Sequence, residues 1–262
     1  MKKKKKQSVG RRIWRFIKRL FLILFITQFL YIILLRWVNP PITLTQIGSL
    51  LDGDGLKRDY IDDDTIPYTM KLAVIASEDQ VFPDHGGFDW KSIEKAMAYN
   101  KKKPNRVRGA STISQQVAKN VFLWQGRSWI RKGLEIYFTK MIEWIWGKKR
   151  ILSVYLNVIE MGKGIYGIEA AAQHYFKKPA KSLTRKEASL IAACLPNPKR
   201  FIPTPPSFFV GNRSNWIQGQ MRYLETDPDV VAVIRKTEGP AKEKPAPKQK
   251  ERSATAPKKT RK

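Results

Sequence analysis

The residues most able to do chemistry lie in three separated stretches. The first is Glu78-Asp79-Gln80-Val81-Phe82-Pro83-Asp84-His85-Gly86-Gly87-Phe88-Asp89, directly after an apolar run that ends in Val74, Ile75 and Ala76. A carboxylate leaving a buried helix, with Phe82 and Phe88 close by, is in a setting that raises its pKa and makes it a useful base near neutrality. A helix-end glutamate facing water is the other reading, and this stretch alone does not separate the two. The second is Gly109-Ala110-Ser111-Thr112-Ile113-Ser114-Gln115-Gln116-Val117-Ala118-Lys119-Asn120. Thr112 and Gln115 have the form of a capping box, which predicts a helix start. Ser111, Gln115 and Lys119, four apart, then share a face that offers a hydroxyl, an amide and an ammonium. Near a helix N-terminus such a face suits sugar hydroxyls and a phosphate better than it suits plain solvation. The third is Arg127 followed by Arg131-Lys132-Gly133-Leu134-Glu135. Arg131 and Glu135 form an i,i+4 pair. That is either a surface ion pair worth about 0.3–0.5 kcal/mol or a second carboxylate sharing a cleft with Glu78.

Other pattern matches fail on context. Gly162-Lys163-Gly164-Ile165-Tyr166-Gly167 fits a dinucleotide fingerprint, but no predicted strand precedes it and no βαβ unit surrounds it. Ser92-Ile93-Glu94-Lys95 fits the S-x-x-K of penicillin-binding transpeptidases without the accompanying S-D-N and K-T-G elements. Gly109-Ala110-Ser111 starts like a nucleophile elbow, yet Ile113 stands where the second glycine belongs. The Asp52-Gly53-Asp54-Gly55 run lacks the later ligands of a calcium loop and reads as a turn. One cysteine, Cys194, excludes an intramolecular disulfide framework and a multi-cysteine zinc site. His85 and His174 are the two histidines of the chain, too few for a His-based metal centre.

These stretches need a frame, and the rest of the chain supplies it. The 262 residues suffice for a sizeable core. The net charge of +28 sits largely at the ends, because residues 1–19 and 236–262 together hold +17 of it. Residues 1–15 read as a basic cytoplasmic N-terminus. Residues 16–38 read as an uncleaved transmembrane anchor, with Lys18, Arg19 and Arg36 snorkelling at its ends and Trp14, Tyr31 and Trp37 near the interfaces. A cleaved signal peptide would have a shorter apolar region and a small-residue site, whereas Arg36-Trp37-Val38-Asn39-Pro40-Pro41 follows. Because the positive charges precede the span, the expected topology leaves the N-terminus in the cytoplasm and places the body outside. That topology argues against a nucleic-acid partner and for the membrane surface and lipid diphosphates. A connector at 39–66, a mainly helical body at 67–225 with about seven to nine short helices, and a disordered basic tail at 226–262 complete the expected layout.

Taken in order, the blocks resemble the family-51 glycosyltransferases that polymerise peptidoglycan. The patterns E-D-x-x-F-x-x-H-x-G, G-[GA]-S-T-I-[ST]-Q-Q-x-x-K-N, R-K-x-x-E and Y-L-N-x-x-x-x-G-x-G-x-x-G all occur between residues 67 and 224. Ala110 and Ser114 replace a commoner glycine and threonine, and the basic tail has no counterpart in the pattern. The resemblance implies a lysozyme-like, mainly α glycosyltransferase domain with a small membrane-proximal lobe, preceded by one transmembrane helix. It implies that the substrates are lipid II and the growing glycan chain, with Glu78 as catalytic base and Glu135 as a second essential carboxylate. Lys119 and Arg127 match diphosphate-binding positions. Ser111 and Gln116 match substrate contacts, and Gln115 and Arg131 are expected beside them. No cofactor is required by this reading. Glu135 either orients the cations or holds a divalent ion such as Mg or Mn. The implied location is the bacterial inner membrane with the domain in the periplasm, and other cell-wall synthesis proteins are conceivable partners. A muramidase or lytic transglycosylase that cleaves glycan is the enzyme-class alternative, but it gives no reason for Lys119 and Arg127. Phe138, Met141, Ile142, Trp144, Ile145 and Trp146, with Trp124 and Trp129, read either as an interfacial patch or as ordinary core.

Overall fold

The computed structural model describes residues 9–126 and 128–235. The N-terminal apolar stretch forms one helix, α1 (Val9–Leu34), about 39 Å long at 1.5 Å per residue. Among the described residues it is the one helix long and apolar enough to cross a membrane, and it fits a single-pass membrane protein. The helix begins earlier than the expected span and ends before Val38. Its last turn tightens, with Arg36 N–H donating to the Ile33 carbonyl and Trp37 N–H to that of Leu34, and Pro40-Pro41 then stops it.

The end of α1 is fastened to the body. Ile32 and Leu35 are fully buried, and the Trp146 indole N–H donates to the Ile32 carbonyl at 2.8 Å. The Arg150 guanidinium donates to the carbonyls of Leu35 at 2.8 and 3.0 Å and Val38 at 2.7 Å, and to Asn39 Oδ1 at 2.9 Å. The last carbonyls of any helix lack intrahelical partners, and a cation there also meets the negative end of the helix dipole.

The expected connector proves to be part of the body. Thr43 and Gln46 form a capping box that starts α2 (Leu44–Leu51), which lies against α5 (Ile113–Phe122). The two-residue strand β1 (Lys57–Arg58) pairs in parallel with β3 (Ile165–Tyr166), and β2 (Glu160–Gly162) pairs antiparallel on the other side of β3. Elements this short carry no periodicity by which to recognise them. The glycine-rich run 162–167 forms the β2–β3 turn rather than a nucleotide loop. Gly164 has φ +67°, and a Cβ there would lie 2.2 Å from the Asp54 carbonyl oxygen.

The remaining helices form two packed groups. In one, α3 (Tyr68–Glu78) lies against α9 (Arg185–Cys194) and α10 (Phe208–Leu224). In the other, α5 lies against α6 (Trp129–Ile145) and α7 (Gly147–Val158), where Phe122 and Phe138 stack at 4.6 Å. Helices α4 (Trp90–Lys102) and α8 (Ile168–Phe176) complete the body, which is mainly helical as expected. Folded structure continues past residue 225, the boundary expected for a disordered tail. Asp227 caps α11 (Pro228–Ile234), whose Val230 and Ile234 are buried, so one face of the short Val-Val-Ala-Val-Ile run joins the core. The basic residues 236–262 lie outside the described residues, as do residues 1–8.

The aromatic run of α6 divides by helical phase. Phe138, Ile142 and Trp146 face the core, and Met141 and Ile145 pack partly against it. Trp144 is 75 % exposed, Trp129 92 % and Trp124 45 %.

Replacing Arg150 by Ala removes four hydrogen bonds and takes this partner from the carbonyls of Leu35 and Val38. We expect a loss of about 1–3 kcal/mol, read as a lower thermal midpoint of the full-length protein in detergent, with Arg150→Lys restoring only part of it. An unchanged midpoint in Arg150→Ala contradicts the fastening role.

Candidate active site

Glu78 is the last residue of α3, where the apolar helix runs out into the gap between the two helix groups. A cleft of about 830 Å³ opens there. Gln116 and Lys119 of α5 face it, as do Arg213 of α10, Leu195-Pro196 after α9, and Ser111 on the segment leading into α5. The structure thus brings Glu78, Ser111, Gln116 and Lys119 into one groove.

The Glu78 carboxylate is held by neutral donors. Gln116 Nε2 donates to Oε2 at 2.9 Å and the Ser77 hydroxyl to Oε1 at 3.2 Å. Burial pushes its pKa above the ordinary value. The two hydrogen bonds and the Arg213 cation pull in the opposite direction without cancelling the rise, and Asp79 next to it adds to it. Of the two readings left open by the sequence, the structure favours the partly buried carboxylate over one facing open water.

Asp79 organises the surroundings. Buried itself, it accepts from His85 Nε2 at 3.0 and 3.1 Å and from the Ile113 backbone N–H at 3.0 Å. His85 Nδ1 accepts from the Gly87 N–H at 3.1 Å, so its proton lies on Nε2, toward Asp79. A carboxylate at the start of α5 meets the positive end of that helix. Gly87, at φ +95°, fits because a Cβ there would lie 2.7 Å from Thr139 Cγ2. Its carbonyl accepts from Thr112 Oγ1 at 2.8 Å. The E-D-x-x-F-x-x-H-x-G block is therefore a loop that ties the end of α3 to the start of α5.

The capping box forms as expected, and its formation corrects the face drawn from spacing. Thr112 is the N-cap, and the Gln115 side chain accepts from the Thr112 backbone N–H at 3.0 Å. Gln115 is 3 % exposed and does not line the cleft, so its side chain serves the cap rather than the groove face. Ser111 precedes the helix altogether. The cleft face of α5 runs through Thr112, Gln116 and Lys119 instead, one position on at its middle. Of the first α5 N–H groups, that of Ile113 goes to Asp79 and that of Gln115 to the Thr112 hydroxyl.

Glu135 and Arg131 lie on α6, off the cleft wall but within electrostatic reach of Lys119. Glu135 is buried, and its oxygens accept from Arg131 at 2.8 Å and from Lys132. Neither reading holds as drawn from the sequence: the pair is buried rather than on the surface, and Glu135 does not line the cleft with Glu78. Burial depresses the Lys119 pKa, the Glu135 charge raises it, and the cations Arg131 and Lys132 depress it further. In this arrangement both oxygens of the Glu135 carboxylate are engaged by cations. Among the described residues no group of three His, Cys, Asp or Glu side chains is gathered as for a metal. Arg127 lies outside the described residues.

Arg213 was not singled out from the sequence. It lines the cleft, donates to the Ser77 carbonyl at 3.2 Å, stacks on Trp216 at 4.5 Å and places its charge near Glu78. No motif surrounds it in the chain, and nothing in its neighbourhood of sequence marks it.

The raised pKa has a consequence for stability. In the window between the ordinary 4.5 and the raised value, the folded protein binds the Glu78 proton more tightly than the unfolded chain does. Stability from this group is then fully present below 4.5 and is lost as pH rises through the folded pKa. Comparing thermal midpoints across pH 4–8, we expect Glu78→Gln to gain on the wild type as pH rises. A difference that is constant or of opposite slope contradicts the burial assigned to Glu78.

The family model described as Transglycosylase matches residues 44–222, more than half of the chain. Proteins named biosynthetic peptidoglycan transglycosylase from Escherichia coli, among them those of the Crooks strain and of strain K12 / DH10B, are 60% identical over 170 residues. The aligned part covers 65% of this chain and 70% of each relative. The matched region starts inside α2 and holds every site residue described above, in agreement with the motif resemblance. The chain belongs to the transglycosylase family.

Proposed function

We propose that the chain is a peptidoglycan glycosyltransferase that polymerises lipid II into β-1,4-linked glycan strands and releases undecaprenyl diphosphate. The observation that carries this reading is a desolvated carboxylate, Glu78, in one groove with the ammonium of Lys119. A glycosyl transfer from a diphosphate needs both: a base for the incoming alcohol and positive charge where the leaving group becomes anionic.

Glu78 takes the proton from the 4-hydroxyl of the acceptor N-acetylglucosamine. The freed oxygen bonds to C1 of the N-acetylmuramic acid at the reducing end of the growing chain. The bond from C1 to the α-linked diphosphate breaks, its electron pair leaving with the phosphate oxygen, and the anomeric centre inverts. Inversion requires base and leaving-group stabiliser on opposite sides of the ring. Lys119 and Arg127 serve the diphosphate side, and Ser111 and Gln116 contact the sugars. Glu135 holds Arg131 and Lys132 and sustains the charge of Lys119, a role for which its two occupied oxygens speak. The helix α1 anchors the chain in the bacterial inner membrane, with the basic N-terminus cytoplasmic and the cleft at the outer surface of the bilayer, where the diphosphate of lipid II resides. The exposed Trp124, Trp129 and Trp144 suit the headgroup layer.

Incubation with labelled lipid II tests this. The wild type lengthens chains and releases undecaprenyl diphosphate, whereas a glycan-cleaving enzyme only shortens preformed strands. We expect Glu78→Gln to lower polymerisation by about two to four orders of magnitude with the fold intact. Undiminished polymerisation in that variant refutes the base.

A further inference from the structure

Both ends of the Gln116 side chain are engaged. Nε2 donates to Glu78 Oε2 at 2.9 Å, and Oε1 accepts from the Tyr155 hydroxyl at 3.3 Å. Tyr155 stands on α7 and is fully enclosed, so its hydroxyl reaches the cleft only through this amide. We propose that Tyr155 is a positioning residue for the transfer reaction, tethering the Gln116 amide against the Glu78 carboxylate. The inference rests on Glu78 being the base, as argued above.

The chemistry of the amide gives the reason. With Glu78 ionised, only the N–H end of Gln116 can face it, since the oxygen end would set acceptor against acceptor. The amide oxygen is then turned toward the protein interior, where an unmatched acceptor is costly. Among the described residues Tyr155 is the donor that meets it. Its hydroxyl keeps its proton, because burial first, and then the charges of Glu78 and Asp79, raise its pKa well above the ordinary value. Without that donor the Gln116 side chain, which lines the cleft, gains by swinging toward water, and Glu78 loses its shorter hydrogen bond.

The consequence is a shift in the pH at which the base becomes available. The groups facing Glu78 are the Ser77 hydroxyl and Asp79 from its own helix end, Gln116 from α5, Arg213 from α10 and, through Gln116, Tyr155 from α7. Tyr155→Phe keeps the ring and weakens only the Gln116 arm. A hydrogen bond to the ionised form favours it, so weakening that bond raises the Glu78 pKa.

The test is the pH profile of lipid II polymerisation by the full-length protein in detergent. We expect the acid limb of kcat/KM in Tyr155→Phe to move up by about 0.5–1 pH unit, a three- to tenfold loss on the acid side, with rates converging above the limb. In a Gln116→Leu background, where the limb is already raised, Tyr155→Phe should add no further shift. An unmoved limb, or a loss of the same size with and without Gln116, overturns the proposal and leaves Tyr155 as packing. Should Tyr155→Phe fold poorly, Gln116→Leu alone decides, because an unmoved limb there removes the link to Glu78. Glu78→Gln run alongside separates the two failures: activity retained in that variant strikes the base itself, whatever Tyr155 does.

Discussion

Taking a carboxylate out of water costs free energy that neighbouring dipoles offset only in part, and the cleft is arranged around that cost at Glu78. The donors supplied are a serine hydroxyl and a glutamine amide, with the Arg213 charge further off. A close cation on Glu78 would have lowered its basicity and made it a poor proton acceptor. The strong positive charge is instead placed across the groove, at Lys119, and the buried carboxylate of Glu135 is spent on keeping that charge company. Two glutamates of the same chemistry thus receive opposite environments. One is left with neutral partners and becomes basic, whereas the other is neutralised by two cations and serves to hold them.

Helix α5 is the element on which both sides depend. Its start is fixed by Thr112, Gln115 and Asp79, and its next turn carries Gln116 to Glu78 and Lys119 into the same cleft. Asp79 makes the coupling tight, because one carboxylate binds the loop histidine and the first helical N–H at once. At the membrane end the same economy recurs. Trp146 takes the Ile32 carbonyl of α1 and Arg150 those of Leu35 and Val38 in the turn that follows, so the apolar helix is not a loose tether but joined to the body that carries the groove.

The helical body and the capping box were legible because apolar spacing and a Thr-x-x-Gln signal act locally, over one or two turns. The grouping of Glu78, Ser111, Gln116 and Lys119 follows the order of the motif blocks, whereas Glu135 stands off the cleft wall. What escaped notice depends on contacts between distant parts of the chain. Arg213 reaches the Glu78 region from a helix more than a hundred residues further on, and β1 pairs with a strand equally far away. The face of α5 was misdrawn by one position because Gln115 cannot both close the box and face the cleft. Residues 228–234 fall within the expected charged tail, and only the packing of Val230 and Ile234 ties them to the core.

The most direct measurement is a 13C-carboxyl NMR titration of the full-length protein, with the Glu78 signal assigned by its absence in Glu78→Gln. The account predicts a midpoint clearly above the ordinary glutamate value of 4.5. A midpoint at or below 4.5 would contradict it, because the carboxylate would then be too well stabilised to accept the proton of an incoming sugar.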